Sequence, residues 1–321
     1  MGYVSEPGAV FGVDIGKAEV AVCRHGQDLV QCVTNTAAAL TGWLRTVPAD
    51  ALIVMEATNT YHEVLAGLAH DLQLQVVVLD PRRSWHYARA IGQRGKADRP
   101  DARMLARYGA HEWRKLPRWQ PPTEGNVRLA KLLARRAALM RARVGLGQSL
   151  ASLRELRTIR TQTEKALSRF IARLDLLILQ EVARDAQLAA LHRLLQTIVG
   201  VGPLVAAQLV QALSRLPWGH ADAFIAYTGL DPRPDDSGIK RGRRRISRRG
   251  PPMLRYLLFM AAMAASKTRL WNPIYRALRQ RGLASTEAFV ILARRIARIA
   301  FAIFRSGQPF DPTRLATAPS A

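Results

Sequence analysis

Within the first 110 residues short apolar runs alternate with helical stretches, a rhythm that a sheet layered with helices satisfies. Three strands are expected close together, Val10 to Val13, Val20 to Arg24 and Leu29 to Thr34, with turn signals at Ile15-Gly16-Lys17 and His25-Gly26-Gln27. A helix from about Ala37 to Val47 follows. Leu52 to Met55 and Gln75 to Leu79 then read as buried fourth and fifth strands, separated by a helix from about Tyr61 to Leu72.

A three-strand meander continued as β-α-β-α is the order of a ribonuclease-H-like sheet. On such a sheet Asp14 lies on the first strand and Glu56 at the end of the fourth, where neighbouring strand ends bring them together. Asp98-Arg99-Pro100-Asp101 reads as a helix start, with Asp98 as the N-cap, a proline in the first turn and Asp101 three residues on. The two carboxylates then sit one turn apart on the same side. Pro117, Pro121 and Pro122 mark a linker. From about Glu124 to Leu195 there is no proline, and apolar residues recur at helical spacing (Leu150, Leu153, Leu156; Leu167, Phe170, Ile171, Leu174, Leu177), which predicts two long helices forming an antiparallel arm. Near Gln196 a second domain begins. Its first turn, Ile198-Val199-Gly200-Val201-Gly202-Pro203, reads either as a plain interhelical turn or as a helix-hairpin-helix whose amides at Gly200 and Gly202 hold a phosphate. Asp231 to Gly250 is loop-like and basic, followed by helices from about Met253 to Lys267 and Thr286 to Arg305.

Charge narrows the partner. Lys and Arg total 48 against 24 Asp and Glu, a net charge of +24, which is the footprint of a protein that binds a polyanion. No run approaches the roughly 18 apolar residues of a spanning helix, and the N-terminus lacks a signal-peptide pattern, so DNA or RNA in the cytoplasm is expected rather than a membrane. Cys23 and Cys32 are too few for a disulfide framework or a four-ligand zinc site and read as free thiols on neighbouring strands. The length accommodates about two domains.

Each acid taken singly has an ordinary reading: Asp14 as a turn aspartate or the phosphate turn of an actin-like sugar kinase, Asp98 and Asp101 as helix capping. Together, an acid on each of two strand ends and a pair at a helix start are what two-metal phosphoryl transfer requires, with ions clamping the attacking and leaving oxygens. A kinase would need further glycine-rich phosphate loops in the second half, and the sequence has none. A second constellation runs from Ser237 to Gly250. Seven of the ten residues from Lys240 to Arg249 are basic, which suits a phosphate-binding loop. A serine flanked by arginines also suits attack on phosphorus, because guanidinium groups stabilise charge on the phosphoryl oxygens. Spacing does not choose among Ser237, Ser247 and Ser266.

Four segments carry a resemblance: Phe11-Gly12-Val13-Asp14-Ile15-Gly16-Lys17, Glu56-Ala57-Thr58-Asn59-Thr60-Tyr61, Lys96 to Ala106 around Lys96-Ala97-Asp98-Arg99-Pro100-Asp101, and Ile246-Ser247-Arg248-Arg249-Gly250. In this order they resemble the signatures of DEDD-type insertion-sequence transposases related to the Piv and MooV DNA invertases, the bridge-RNA-guided recombinases. The resemblance implies a RuvC-like, ribonuclease-H-like α/β domain over 1–122, a helical coiled-coil arm over 123–195 and a mainly helical transposase domain with a helix-hairpin-helix-like element over 196–321. It places the metal-binding acids at Asp14, Glu56, Asp98 and Asp101, holding Mg²⁺ or Mn²⁺, and the nucleophile at Ser247. Lys240, Arg241, Arg243, Arg244, Arg245, Arg248 and Arg249, with Gly200 and Gly202, are the expected nucleic-acid contacts. It further implies a bacterial recombinase acting on donor and target DNA, guided by a structured non-coding RNA that reads sequence by base pairing. The helical arm between the acids and the serine separately suggests a site composed between protomers, with the arms dimerising and two such dimers handling two DNA duplexes. The loop between Ser237 and Ser247 is more arginine-rich than is usual in the family. Two rivals have distinct signatures: a RuvC-like Holliday-junction nuclease would use metal-activated water and form no covalent adduct, and a non-catalytic basic nucleic-acid-binding protein would not cut DNA at all.

Overall fold

The computed structural model describes residues 6–58, 60–92, 98–215, 218–233 and 245–315, the side chains of 98–100 and 314 excepted. It divides into two compact units, Met1–Pro121 and Pro122–Ala321.

The first unit is a mixed five-stranded sheet in the order β3-β2-β1-β4-β5. Strands β1 (Val10–Ile15), β2 (Glu19–Arg24) and β3 (Val30–Thr34) form the antiparallel meander. Strands β4 (Leu52–Glu56) and β5 (Gln75–Leu79) extend it in parallel from β1. This is the order expected for a ribonuclease-H-like sheet. The parallel half is apolar at nearly every position because helices cover both of its faces. Helices α1 (Ala37–Leu44) and α2 (His62–Asp71) cover the side from which Val13, Ile15, Ile53, Met55 and Val76 point. Two helices that follow β5 meet the residues of the other side, Val10, Leu52, Val54, Val77 and Leu79. They are α3 (Pro81–Ala90), opened by the Asp80 cap with Pro81 in its first turn, and α4 (Asp98–Glu112). Helix α3 is not anticipated from the sequence. Asp98 is the first residue of α4 rather than its cap, a shift of one position that leaves Asp98 and Asp101 one turn apart. Cys23 and Cys32 are free thiols on adjacent strands, the first buried and the second exposed.

The second unit is helical. Helices α5 (Glu124–Ser149) and α6 (Arg157–Arg184) run antiparallel, with Arg136 bonded to Asp175 and Arg143 to Ser168. Buried residues of α5 end at Ala137 and those of α6 begin at Ile171, so only the base of this hairpin joins the core. There the buried Glu181 takes Arg128 at 2.9 Å and Arg184 at 2.8 Å. Beyond the base each helix continues for about 20 Å. Where two helices are expected up to Leu195 there are three: Asp185 accepts from the amides of Gln187 and Leu188 and starts α7 (Ala186–Leu195). A glycine-containing turn connects α7 to α8 (Pro203–Leu213). Helices α9 (Ala221–Thr228), α10 (Pro252–Ala265), α11 (Asn272–Gln280) and α12 (Ser285–Ser306) complete a core centred on Phe224, Leu258, Trp271, Leu292 and Ile296. Inside the segment expected to be loop, β6 (Pro232–Arg233) and β7 (Arg245–Ile246) pair as a two-residue antiparallel ladder. Among the described residues no helix is long and apolar enough to cross a membrane.

Candidate catalytic site

The acidic site is placed by a glycine. A Cβ on Gly12 would fall on the carbonyl oxygen of Ala102 and the amide of Ala106, so α4 lies backbone to backbone against β1 as no other residue permits. Gly109 of the same helix meets Val10 and Val54 instead, so α4 runs opposite to β1 and its N-terminus, with Asp98 and Asp101, lies toward Asp14. Alternation along the strand puts Asp14 on the same face as Gly12. The β1–β4 register pairs Val13 with Met55; one residue further it sets Asp14 beside Glu56, about 4.8 Å away at the backbone. Both are half-buried. The strand end is fixed by Asn35, whose side-chain amide donates to Gly16 O at 2.9 Å.

Glu56 has a partner that the sequence did not reveal. The hydroxyl of Ser84, fully buried on α3, donates to Glu56 Oε2 and also lies 2.9 Å from Pro81 O. That contact draws the Glu56 carboxylate toward α3. Among the described residues no three potential ligands are gathered tightly enough to hold one ion. The side chain of Asp98 lies outside the described residues. The structure therefore brings Asp14 and Glu56 level on adjacent strands and puts the backbone positions 98 and 101 at the same end of the sheet. Hard carboxylate oxygens of this kind fit Mg²⁺ or Mn²⁺ and do not fit a soft metal.

Ser247 follows β7 directly and is half-buried. Its amide donates to Asp231 O at 2.9 Å and its hydroxyl donates to Asp231 Oδ1, so backbone and side chain are both held by the residue that precedes β6. The next residue, Arg248, has a positive φ of 54° and donates its amide to Gly229 O at 3.1 Å, a strained conformation beside the hydroxyl. A Cβ on Gly250 would collide with Tyr227 O, and Arg255 of α10 donates to Thr228 O and Gly250 O, which clamps the loop onto the end of α9. Arg294 of α12 lies within electrostatic reach of Asp231. Burial, and then the neighbouring Arg298, push the Arg294 guanidinium below its usual range, while Asp222 and Asp231 act the other way. Its Nε is buried with no hydrogen-bond partner among the described residues.

A serine hydroxyl donating to a carboxylate, with guanidinium groups around it, is equipped to attack an electrophile bearing negative charge. Arg245, Arg248 and Arg249 are exposed around it. Lys240, Arg241, Arg243 and Arg244 lie outside the described residues, as does Ser237. The third serine, Ser266, is buried and donates to Met263 O at 2.8 Å. Gly200, with φ 98°, lies against the backbone of α10 at Ala261 and Ala265, and Gly202 is the cap of α8. Sequence reasoning missed Asp231 and Ser84. The only signal for Asp231 was its place at the start of the basic loop; for Ser84 there was none.

Residues 11–156 match a DEDD-type IS110 family described as "Transposase", and residues 192–277 match "Transposase IS116/IS110/IS902 family". The chain is similar to the pilin gene-inverting protein of Moraxella bovis, with 29% identity over 94% of this chain and 97% of that protein. The pilin gene-inverting protein of Moraxella lacunata is 28% identical over the same shares. An uncharacterized protein of the insertion element IS116 from Streptomyces clavuligerus is 31% identical over 37% of this chain and 30% of its own length.

Proposed function

We propose, from the premise that this chain belongs to the IS116/IS110/IS902 family of transposases, that it moves an insertion sequence by site-specific cutting and rejoining of DNA, with Ser247 as the nucleophile. The chain is a DNA transposase or recombinase. The observation that carries the finer reading is the hydrogen bond from the Ser247 hydroxyl to Asp231. As Ser247 Oγ bonds to phosphorus, its proton passes to the Asp231 carboxylate. The electron pair of the breaking P–O bond leaves with the deoxyribose oxygen, which takes a proton from solvent. Rejoining reverses the step: the deoxyribose hydroxyl attacks the phosphoserine, and Ser247 recovers its proton from Asp231. Arg248, Arg249 and the guanidinium of Arg294 stabilise charge on the phosphoryl oxygens.

Asp14, Glu56, Asp98 and Asp101 would hold the divalent cation. Mg²⁺ or Mn²⁺ there supplies Lewis-acid stabilisation of the phosphate. Ser84 orients Glu56 for that task. The net charge of +24, the basic loop from Lys240 to Arg249 and the turn bearing Gly200 and Gly202 support binding of donor and target DNA together with a structured guide RNA. The projecting part of the α5–α6 hairpin, with Ile159 63% and Phe170 64% exposed, supports a coiled-coil contact between copies and assembly as a dimer of dimers.

The test is denaturing electrophoresis of labelled DNA after reaction in Mg²⁺. Ser247→Ala should bind DNA and yield no covalent adduct, whereas Ser237→Ala should retain activity. An adduct that survives in Ser247→Ala and disappears in Ser237→Ala would transfer the role to Ser237.

A further inference from the structure

Helix α3 has two faces with different work. Inward, Ser84 meets Glu56, Tyr87 stacks on Tyr108 of α4 at 4.4 Å between centroids, and Ala88 packs on the core beneath β5. Outward, at the spacing i, i+3, i+4, i+7, stand Arg82, Trp85, His86 and Arg89, all exposed, with Arg83 exposed beside them.

Trp85 is the unusual member. Half of its surface is exposed, and it joins no apolar cluster among the described residues. Instead the guanidinium of Arg89 lies 4.9 Å above its ring and His86 meets it edge-on at 4.8 Å. Among the described residues no carboxylate pairs with Arg82, Arg83 or Arg89. An indole held rigid by a stacked guanidinium, in a row of unneutralised arginines, matches a polyanion whose units carry flat rings. Duplex bases are already stacked on one another, so the matching ligand is an unpaired strand. DNA rather than RNA follows from the inner face: the same helix turn that exposes Trp85 holds Glu56, and the strand reaching Glu56 is the one to be cut.

We propose that the outer face of α3 is a stacking platform for an unpaired base of the DNA strand presented to Asp14 and Glu56, with Trp85 beneath the base and Arg82, Arg83 and Arg89 along its phosphates. This rests on the acid-site reading above.

The experiment uses the full chain in Mg²⁺-free buffer with a fluorescein-labelled 20-mer as single-stranded DNA, as the duplex and as RNA of the same sequence. Trp85→Ala should weaken single-stranded DNA binding about tenfold or more without changing its salt slope. Trp85→Phe, which keeps a ring, should restore most of the loss, and duplex binding should stay within about twofold. Replacing Arg82, Arg83 and Arg89 together with Ala should lower the salt slope by up to about two. Photo-crosslinking of single-stranded DNA bearing 5-iododeoxyuridine should map to the peptide containing Trp85. The proposal is overturned if Trp85→Ala binds single-stranded DNA like the parent, if Phe behaves as Ala does, if RNA binding alone falls, or if crosslinks map only elsewhere. Failure of the acid-site reading looks different: the parent protein would not cut DNA in Mg²⁺, yet the Trp85 effects on binding would persist.

Discussion

Glu56 and Ser247 are each held by a group from another element or loop, Ser84 and Asp231. A buried hydroxyl such as that of Ser84 is stable only with a partner, and the carboxylate it meets loses rotational freedom in return. Asp231 does more, since it fixes the amide and the hydroxyl of Ser247 at once. Asp231→Asn keeps the shape and removes the proton acceptor, so covalent adduct formation should fall by about a hundredfold or more while DNA binding is unchanged. Adduct formation at the parent rate in this variant would take Asp231 out of the chemistry. Asp14→Ala should abolish Mg²⁺-dependent cleavage with little change in fold; full cleavage would remove the acids from the site. Cysteine chemistry offers a simple check on burial. Desolvation pushes the Cys23 thiol above its usual range, so it stays protonated and shielded at neutral pH, and iodoacetamide should label the exposed Cys32 far ahead of it.

The sheet was legible because its strands carry their burial in their composition: Leu52 to Met55 is apolar throughout, and the meander is bounded by glycine turns. Asp14 and Glu56 could be paired from that order alone. Helix α3 was not legible, since only Ser84 is buried on it and an outer row of Arg, Trp and His leaves no apolar stripe to read. Nor was the β6–β7 ladder, because a strand of two residues has no period. The contact of α4 with β1 was hidden for another reason: Gly12 looks like any glycine in a strand until the helix is placed on it. Its consequence is measurable. Gly12→Val must move the backbone at Ala102 and Ala106, which should destabilise the N-terminal unit by about 2 kcal/mol or more and reduce cleavage through displacement of Asp98 and Asp101. Thermal unfolding at the parent temperature would refute the close approach.

A charge of +24 on 321 residues makes every affinity of this protein a function of ionic strength. The logarithm of the binding constant should fall linearly with the logarithm of salt concentration, and replacing Arg243, Arg244 and Arg245 together with Ala should reduce that slope by up to about three. If copies pair through the α5–α6 hairpin and share sites, inactive Asp14→Ala and inactive Ser247→Ala proteins should regain activity when mixed, because a mixed assembly contains one acid set and one serine that are both intact. No recovery in assemblies shown to exchange subunits would assign each site to a single chain. The ladder that carries Ser247 bears on timing. Two residue pairs are far below what keeps a β-ribbon closed on its own, whereas β4 is bonded along both edges inside a covered sheet. In deuterated water the amide of Ser247 should therefore exchange long before that of Val54. Exchange in that order would give the serine a faster clock than the sheet that holds Asp14 and Glu56, and equal rates would show that the contacts of Asp231 and Arg255 keep the short ladder shut.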